Sequence, residues 1–578
     1  MKKFHFFIAL IFFTYHLSAQ SHEWRWAKTD VQPDNSTTYS GAIASATDAA
    51  GNTIVTGFFW TDSLKFGSYT LYNSVPDGSS NDVFIVKYDS GGTVLWAKQF
   101  GSTGYDFPDA ITVDKNGNSY VTGGFSSSSI VAGPSMISNH DLTDTTTDMF
   151  ILKVSSDGNF LWADGFGGDY NDQGNGIGTD ASGNVYIGAF YESDSLYVGQ
   201  TEYYNATLPI KDHNDILIKL DSLGHVLWAR NSVDSTGGTE TYALSAGQSG
   251  STIMVGRFNG QSVTFGPLTI QNQENGWNDV FVVKYDSAGN VAWAQDAGGH
   301  LDDEALAVAA DPAGNSYVTG YYNSSTALFG AQQIDNDTTN GSGDIFVAKY
   351  DPNGNLLWVN SYGGDENDVA QALALDTNMN IYITGYYFSG QFQFGNTTVT
   401  NSDNSGQTDD VFVAVFDKNG NPASAVSTGG LSYDYGSGLS TDISGNLYIA
   451  GVFRSDDIAF GATTLDNGSA THNNTPFIAK YGINITTGIL TPAPPTDIVL
   501  YPNPATGIIT INSEACPGHE VTVQIYDLNG SEVVISQLIS SDKIVINIGN
   551  LVPGMYMAKI SEGGSIWMAK FVKMASGQ

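Results

Sequence analysis

Cysteine is almost missing from this chain. The single copy, Cys516, cannot form an internal disulfide, so the fold must hold without covalent staples. Basic residues are scarce too: Lys and Arg total 22 against 59 Asp and Glu, a formal charge of −37. Such a surface repels the phosphates of nucleic acid and of anionic lipid. Cations, neutral glycans and basic proteins remain as partners. Beyond the N-terminus no run is long and apolar enough to cross a bilayer, so no transmembrane segment is expected. Catalytic signatures are also wanting, with no His-Glu-x-x-His, Gly-x-Ser-x-Gly, Walker or Rossmann pattern. The histidines His140, His213, His225, His300 and His472 share no common position in the repeats described next. A carboxylate pair of glycosidase type stays open among so many acids, although spacing selects none.

What is present is repetition. The stretch from Asp344 to Tyr387 has close copies starting at Asp82, Asp148, Asp215, Asp279 and Asp410. An Asp closing an Ala-rich run recurs at 48, 114, 180, 311, 376 and 442, spaced by 65 or 66 residues with one double interval. A Gly, usually after Phe, recurs at 67, 133, 199, 266, 330, 395 and 461. Both rulers give seven units, the fourth degenerate around 244–251. Each unit shows four strand-like runs, for example Ala110–Asp114, Ser119–Phe125, Met149–Val154 and Phe160–Ala163. Asp-x-x-Gly-Asn turns such as Asp114–Asn118 and Asp351–Asn355 join the first two runs and the last two. Gly there supplies positive φ and Asp caps the turn.

Seven four-stranded units in series predict an all-β seven-bladed β-propeller. The ends favour a closed ring over an open solenoid. The chain starts on a lone fourth strand, Trp24–Lys28, and the array stops on a lone third strand, Phe477–Tyr481, so together they complete the last unit. Trp26, Trp96, Trp162, Trp228, Trp293 and Trp358 hold one place in six units, with Ser424 in the other. They are expected between neighbouring blades, where a buried aromatic removes about 150–250 Å² from water.

The two tight turns lie on one face. The Gly-Gly loops and the long Phe-Gly connections lie on the other, which is therefore the expected ligand face. Within the Gly-Gly loops stand Asp106, Asp172, Asp303, Asp368 and Asp434, replaced by Ser40 and Thr241 in units one and four. A repeated loop cap accounts for them; the alternative is a ring of carboxylates for a cation, calcium being the one to consider. No other cofactor is expected. Trp60, Tyr105, Tyr170 and Tyr433 stand near the same loops and are candidates for stacking on a sugar or protein.

Two further segments flank the array. Lys2 and Lys3, an apolar run to Leu17 and Ser18-Ala19 read as a signal peptide over 1–19. The ring is assigned to 20–482, a Pro-rich linker to 483–497 and a small β-sandwich to 498–578.

With Asp-x-x-Gly-Asn-x-Tyr-Val-Thr-Gly at their centre, the units resemble bacterial β-propeller repeats of the NHL-like and SBBP type. The C-terminal module resembles the type A sorting domain of the type IX secretion system. The residues that carry this likeness are Tyr501-Pro502-Asn503-Pro504, the Ile525–Gly530 turn, Leu551-x-x-Gly554-x-Tyr556 and the closing Lys570-Phe-Val-Lys573. It implies an Ig-like sandwich, outer-membrane passage through the type IX translocon, removal of the tail by a sortase-like protease, and a secreted or cell-surface destination. The functions left in play are a binding protein for a glycan or protein, a carbohydrate-active enzyme using Asp on the long-loop face, and a structural spacer in an envelope assembly.

Overall fold

The computed structural model describes residues 22–29 and 39–483 apart from 77, 143, 206–211, 235–236, 274–275, 337–340, 404 and 469–472. It also describes 499–575 apart from 513–519, 528–531, 540–542 and 563–564. The expected signal peptide, nearly all of the expected linker, Cys516 and Gly530 lie outside the described residues. The chain divides into two compact units, Met1–Asn484 and Ile485–Gln578. Every regular element among the described residues is a strand.

In the first unit each repeat folds as an antiparallel meander. The second repeat runs Asp106–Val113, Ser119–Phe125, Asp148–Val154 and Phe160–Phe166 in spatial order. The third strand of each sheet is almost entirely buried because neighbouring sheets cover both its faces, which is why Asp82–Tyr88 and Asp148–Val154 are apolar without alternation. The Asp-x-x-Gly-Asn turns form as expected. Asp114 accepts the backbone N–H of Asn116 and Asn118 at 2.8 and 3.0 Å, and Asn118 Nδ2 donates to its other oxygen at 2.8 Å.

Each repeat carries six strands rather than the four read from the sequence. The long Phe-Gly connection folds into its own hairpin, as in Ser63–Phe66 with Tyr69–Tyr72. The recurring Gly sits at the hairpin turn, where Gly67 has φ +57°. Four-residue strands are too short to stand out in a hydrophobic pattern. They are held because one edge packs on a neighbouring sheet: Ser262–Phe265 pairs with Ser232–Asp234 of the preceding repeat. The inner strands also begin earlier than expected, at Asp106 rather than Ala110. In the degenerate fourth repeat the register pairs Thr239 with Phe258, as Asp106 pairs with Phe125, so Thr239 and not Thr241 takes the place of the loop aspartate.

The inner strand of every repeat packs on those before and after it, and Ser40–Thr47 packs on both Asp106–Val113 and Asp434–Thr441. The N-terminal strand His22–Thr29 pairs with Thr475–Ile483, placing Trp26 opposite Lys480 and Lys28 opposite Ile478. The tryptophans join successive repeats: the indole N–H of Trp96 reaches Ser156 O at 3.0 Å, that of Trp162 Ser222 O at 3.3 Å, and that of Trp293 Pro352 O at 3.0 Å.

The second unit holds a three-stranded sheet and a four-stranded sheet sharing one core that includes Leu500, Ile509, Ile525, Ile546 and Phe571.

Candidate functional site

The five loop aspartates are buried, and their carboxylates are occupied by their own loops. Asp368 Oδ2 accepts the Gly364 N–H at 2.9 Å and the Ser389 hydroxyl at 2.8 Å. Asp106, Asp172, Asp303 and Asp434 take the hydroxyls of Ser127, Ser193, Ser324 and Ser455 at 2.6–2.8 Å. Burial pushes Asp106, Asp303 and Asp368 up to about 7, and Asp172 well above the usual range. The Gly-Gly pair has a steric reason as well. A Cβ on Gly363 would meet Asp344 Oδ1 at 2.0 Å, inside contact distance. These residues therefore build the loop and turn their carboxyl groups inward, away from solvent.

The aromatic candidates stand at the surface of the same loops. Tyr105 and Tyr433 are 45% and 39% exposed. Tyr105 lies 5.7 Å from the ring of Trp60, which in turn lies 6.3 Å from Tyr39. Tyr433 lies 6.3 Å from Phe388 and carries the Arg454 guanidinium over its face at 5.4 Å. One backbone contact fixes the equivalence around the series. The N–H of residue 60, 126, 192, 259, 323, 388 or 454 donates to the carbonyl of 39, 105, 171, 238, 302, 367 or 433. At least one of the two places is aromatic in repeats six, seven, one and two, through Phe388, Tyr433, Trp60 with Tyr39, and Tyr105, whereas repeats three to five carry Asn171, Glu192, Gly238, Asn259, Asp302 and Asn323. Tyr170 is half-buried in repeat three, and its N–H donates to Ser193 Oγ at 2.9 Å.

Inward of this rim lies a feature that pattern reading missed. Every inner strand carries a β-bulge at one place, which inserts one extra residue: Ile43, Asp109, Asn175, Tyr242, Leu306, Gln371 and Ser437. They line a cavity of about 590 Å³ to which every repeat contributes. A broader groove of about 830 Å³ beside Asp335, Asp365 and Glu366 draws on one junction between repeats instead. The signal in the sequence was slight: a single variable residue, often polar, inside an Ala- and Gly-rich run.

Asp109 of the second repeat and Glu240 of the fourth are the acidic residues of the cavity's lining. Arg257 bonds Glu240 at 2.7 and 3.0 Å and Glu304 of the next repeat at 2.8 Å, and its guanidinium lies 5.6 Å from the Tyr242 ring. Across the cavity Gln173 donates to Asp109 at 2.7 Å, and burial pushes Asp109 up to about 7.

In the second unit Asn503 clips the last strand, accepting the Val572 N–H at 2.9 Å and donating to Lys570 O at 3.0 Å. Lys570 is exposed and Lys573 is buried, its ammonium on Met574 O at 2.8 Å. The Tyr501–Pro504 segment thus sits against the closing strand, and Tyr556, near Gly554, anchors its own turn through Val552 O at 2.9 Å.

Comparison with known families agrees with both assignments. Residues 95–123 match the β-propeller repeat, and residues 499–574 match the secretion system C-terminal sorting domain. The chain is a β-propeller repeat protein with a type IX sorting domain. That domain indicates export through the type IX system to the cell surface or extracellular space, and implies contact with the secretion machinery. No helix among the described residues is long and apolar enough to cross a membrane. The propeller repeat protein is 24% identical over 528 residues to an uncharacterized WD repeat-containing protein of Acanthamoeba polyphaga mimivirus, covering 77% of this chain and 38% of the relative. It is 29% identical over 230 residues to the regulatory protein FlaEY of Caulobacter vibrioides, covering 39% and 23%. The chain thus spans less than two-fifths of either relative. Among solved structures, a protein of unknown function from Dyadobacter fermentans aligns over 79% of this chain and 99% of its own, at 7% identity and a TM-score of 0.35, too low to carry an argument.

Proposed function

We propose that the exported protein is a binding module: a seven-bladed β-propeller closed by its N-terminal strand, followed by an Ig-like sorting sandwich, with a glycan or protein ligand on the Gly-Gly-loop face. One observation carries this reading, the arc of surface aromatics in repeats six, seven, one and two beside the axial cavity. Planar rings on a rigid scaffold give contact area at low entropic cost, which suits stacking on sugar or gripping a protein loop. The test is a glycan array and a pull-down with the purified exported protein and with a Trp60→Ala/Tyr433→Ala variant. Saturable binding that the variant loses supports the reading; binding untouched by the variant, or none to any ligand, overturns it.

A carbohydrate-active enzyme is the second reading. It is favoured by Asp109, whose raised carboxyl faces the cavity as a general acid requires while Glu240 is held by Arg257. Hydrolysis or elimination of a polysaccharide that is lost in Asp109→Asn would establish it.

A further inference from the structure

We propose that the groove between repeats five and six binds a neutral polysaccharide, a chain of uncharged pyranose sugars running from the groove onto the Phe388–Tyr433 ring pair. This deepens the binding function proposed above, rests on it and names its ligand class.

The groove, of about 830 Å³, is open and polar. Its lining takes Asp365 and Glu366 from a Gly-Gly loop, Asp335 from the hairpin of repeat five, and Gln391 and Gln393 from the hairpin of repeat six; all five residues are exposed. Strand alternation puts the two glutamines on one side: in Gln391–Phe394 they face solvent while Phe392 and Phe394 are buried. In other loops the place of Asp365-Glu366 is taken by Thr103-Gly104, His300-Leu301 or Leu431-Ser432, so the loop's fold does not require two acids. The groove is tied to the rings. The Glu366 N–H donates to Ser389 Oγ at 3.0 Å and the Phe388 N–H to Asn367 O at 2.9 Å, which fixes the acidic loop beside Phe388. Phe388 in turn lies 6.3 Å from Tyr433.

This set of groups suits uncharged sugar best. Hydroxyls donate and accept, so they answer carboxylates, which only accept, and amides, which do both. The neighbouring rings then stack on the C–H faces of the next sugars. A basic side chain offers no acceptor to the glutamine N–H groups, and the Tyr433 ring already carries the Arg454 guanidinium at 5.4 Å. Acidic polysaccharides are repelled by Asp335, Asp365 and Glu366. A protein held by apolar side chains lacks a pocket here, since the aromatic residues of the lining, Tyr362 and Phe392, are half-buried and buried.

The experiment uses the full chain in affinity electrophoresis and calorimetry at ~0.15 M NaCl, which screens loose surface attraction. The probes are three soluble neutral polysaccharides, mixed-linkage β-glucan, arabinoxylan and galactomannan, with polygalacturonate and poly-lysine as charged comparators. At least one neutral polymer should bind saturably, and polygalacturonate should not. Asp365→Ala/Glu366→Ala should weaken that binding about tenfold or more, the loss expected for hydrogen bonds to charged groups. Its melting temperature should match wild type, because both residues are exposed; Gln391→Ala, with the same expected weakening, replaces it if the melt is lowered. Binding of none of the three neutral polymers overturns the proposal, as does binding that the groove variants leave unchanged. Poly-lysine bound in their place and lost in the groove variants also overturns it, by making the groove a peptide site. If the same preparation binds another ligand that Trp60→Ala/Tyr433→Ala abolishes and the groove variants do not touch, the groove assignment falls and the binding function stands.

Discussion

Trp26 and Lys480, from opposite ends of the repeat array, donate to the same carbonyl oxygen, that of Ser90, at 3.2 and 3.1 Å. Trp26 belongs to the N-terminal strand and Lys480 to the last strand of the array. Ser90 sits in a turn of the first repeat, so the two ends jointly hold the beginning of the series. Trp26→Ala should therefore destabilise the first unit by about 2–4 kcal/mol, through lost packing and the loss of one of the two donors on the Ser90 carbonyl. Urea unfolding would show this as a lower midpoint at unchanged slope, and a midpoint equal to wild type would contradict the role given to that junction.

Met379 stands where the other Asp-x-x-Gly turns carry glycine, and it adopts φ +65°. A side chain in the left-handed region costs roughly 1 kcal/mol or more. Met379→Gly should raise the stability of the first unit by about 1 kcal/mol, read as an increase in urea midpoint.

The buried carboxyls make stability depend on pH. Burial pushes Asp82 and Asp148 up to about 6, Asp106 and Asp303 to about 7, and Asp279 to about 8. In the unfolded chain they titrate near ~4, so the folded state binds more protons between these values. Their contribution is complete below about pH 4 and is lost as pH rises through 6–8. Melting temperature should thus fall from pH 5 to pH 8, and a steady rise over that interval would rule out neutral carboxyls in the loops.

Arg257 compensates two partly buried glutamates. Arg257→Met should cost about 3 kcal/mol, because Glu240 and Glu304 would face each other without a cation. Adding Glu240→Gln and Glu304→Gln should recover most of the loss. If the triple variant melts no higher than Arg257→Met, charge was not what the arginine supplied.

Asn503 holds the closing strand of the sorting domain through two hydrogen bonds. Asn503→Ala should weaken that unit by about 1–2 kcal/mol and reduce the share of protein reaching the cell surface. Immunoblots of surface and cell-retained fractions test this; equal partition in wild type and variant would separate the motif from sorting.

How much was legible follows from how local each determinant is. The period, the turns and the sorting motif could be read directly, because Gly at positive φ, Asp capping its own turn and Tyr501–Pro504 each act within a few residues. Even the joining of Trp24–Lys28 to Phe477–Tyr481 could be inferred, since two incomplete edges need partners. The hairpin at Gly67 was hidden because strands of four residues gain their stability from a neighbouring sheet. Thr239 was displaced to Thr241 because the fourth repeat lost the Asp that marks the register. The sequence also places the loop aspartates near the long-loop face, but carboxylates spaced for a rim and carboxylates spaced for a cap look alike in a string of letters. Only the packed structure shows Asp368 turned onto Gly364 and Ser389.

The amino-acid sequence alone settled the all-β class, the repeat and the sorting domain, since these rest on backbone propensities and short-range contacts. The tertiary structure decided that seven bulged strands aim Asp109, Asn175, Gln371 and their counterparts into one cavity. A bulge depends on pairing register, and a shared cavity exists only where distant strands converge, so neither is written in any single repeat.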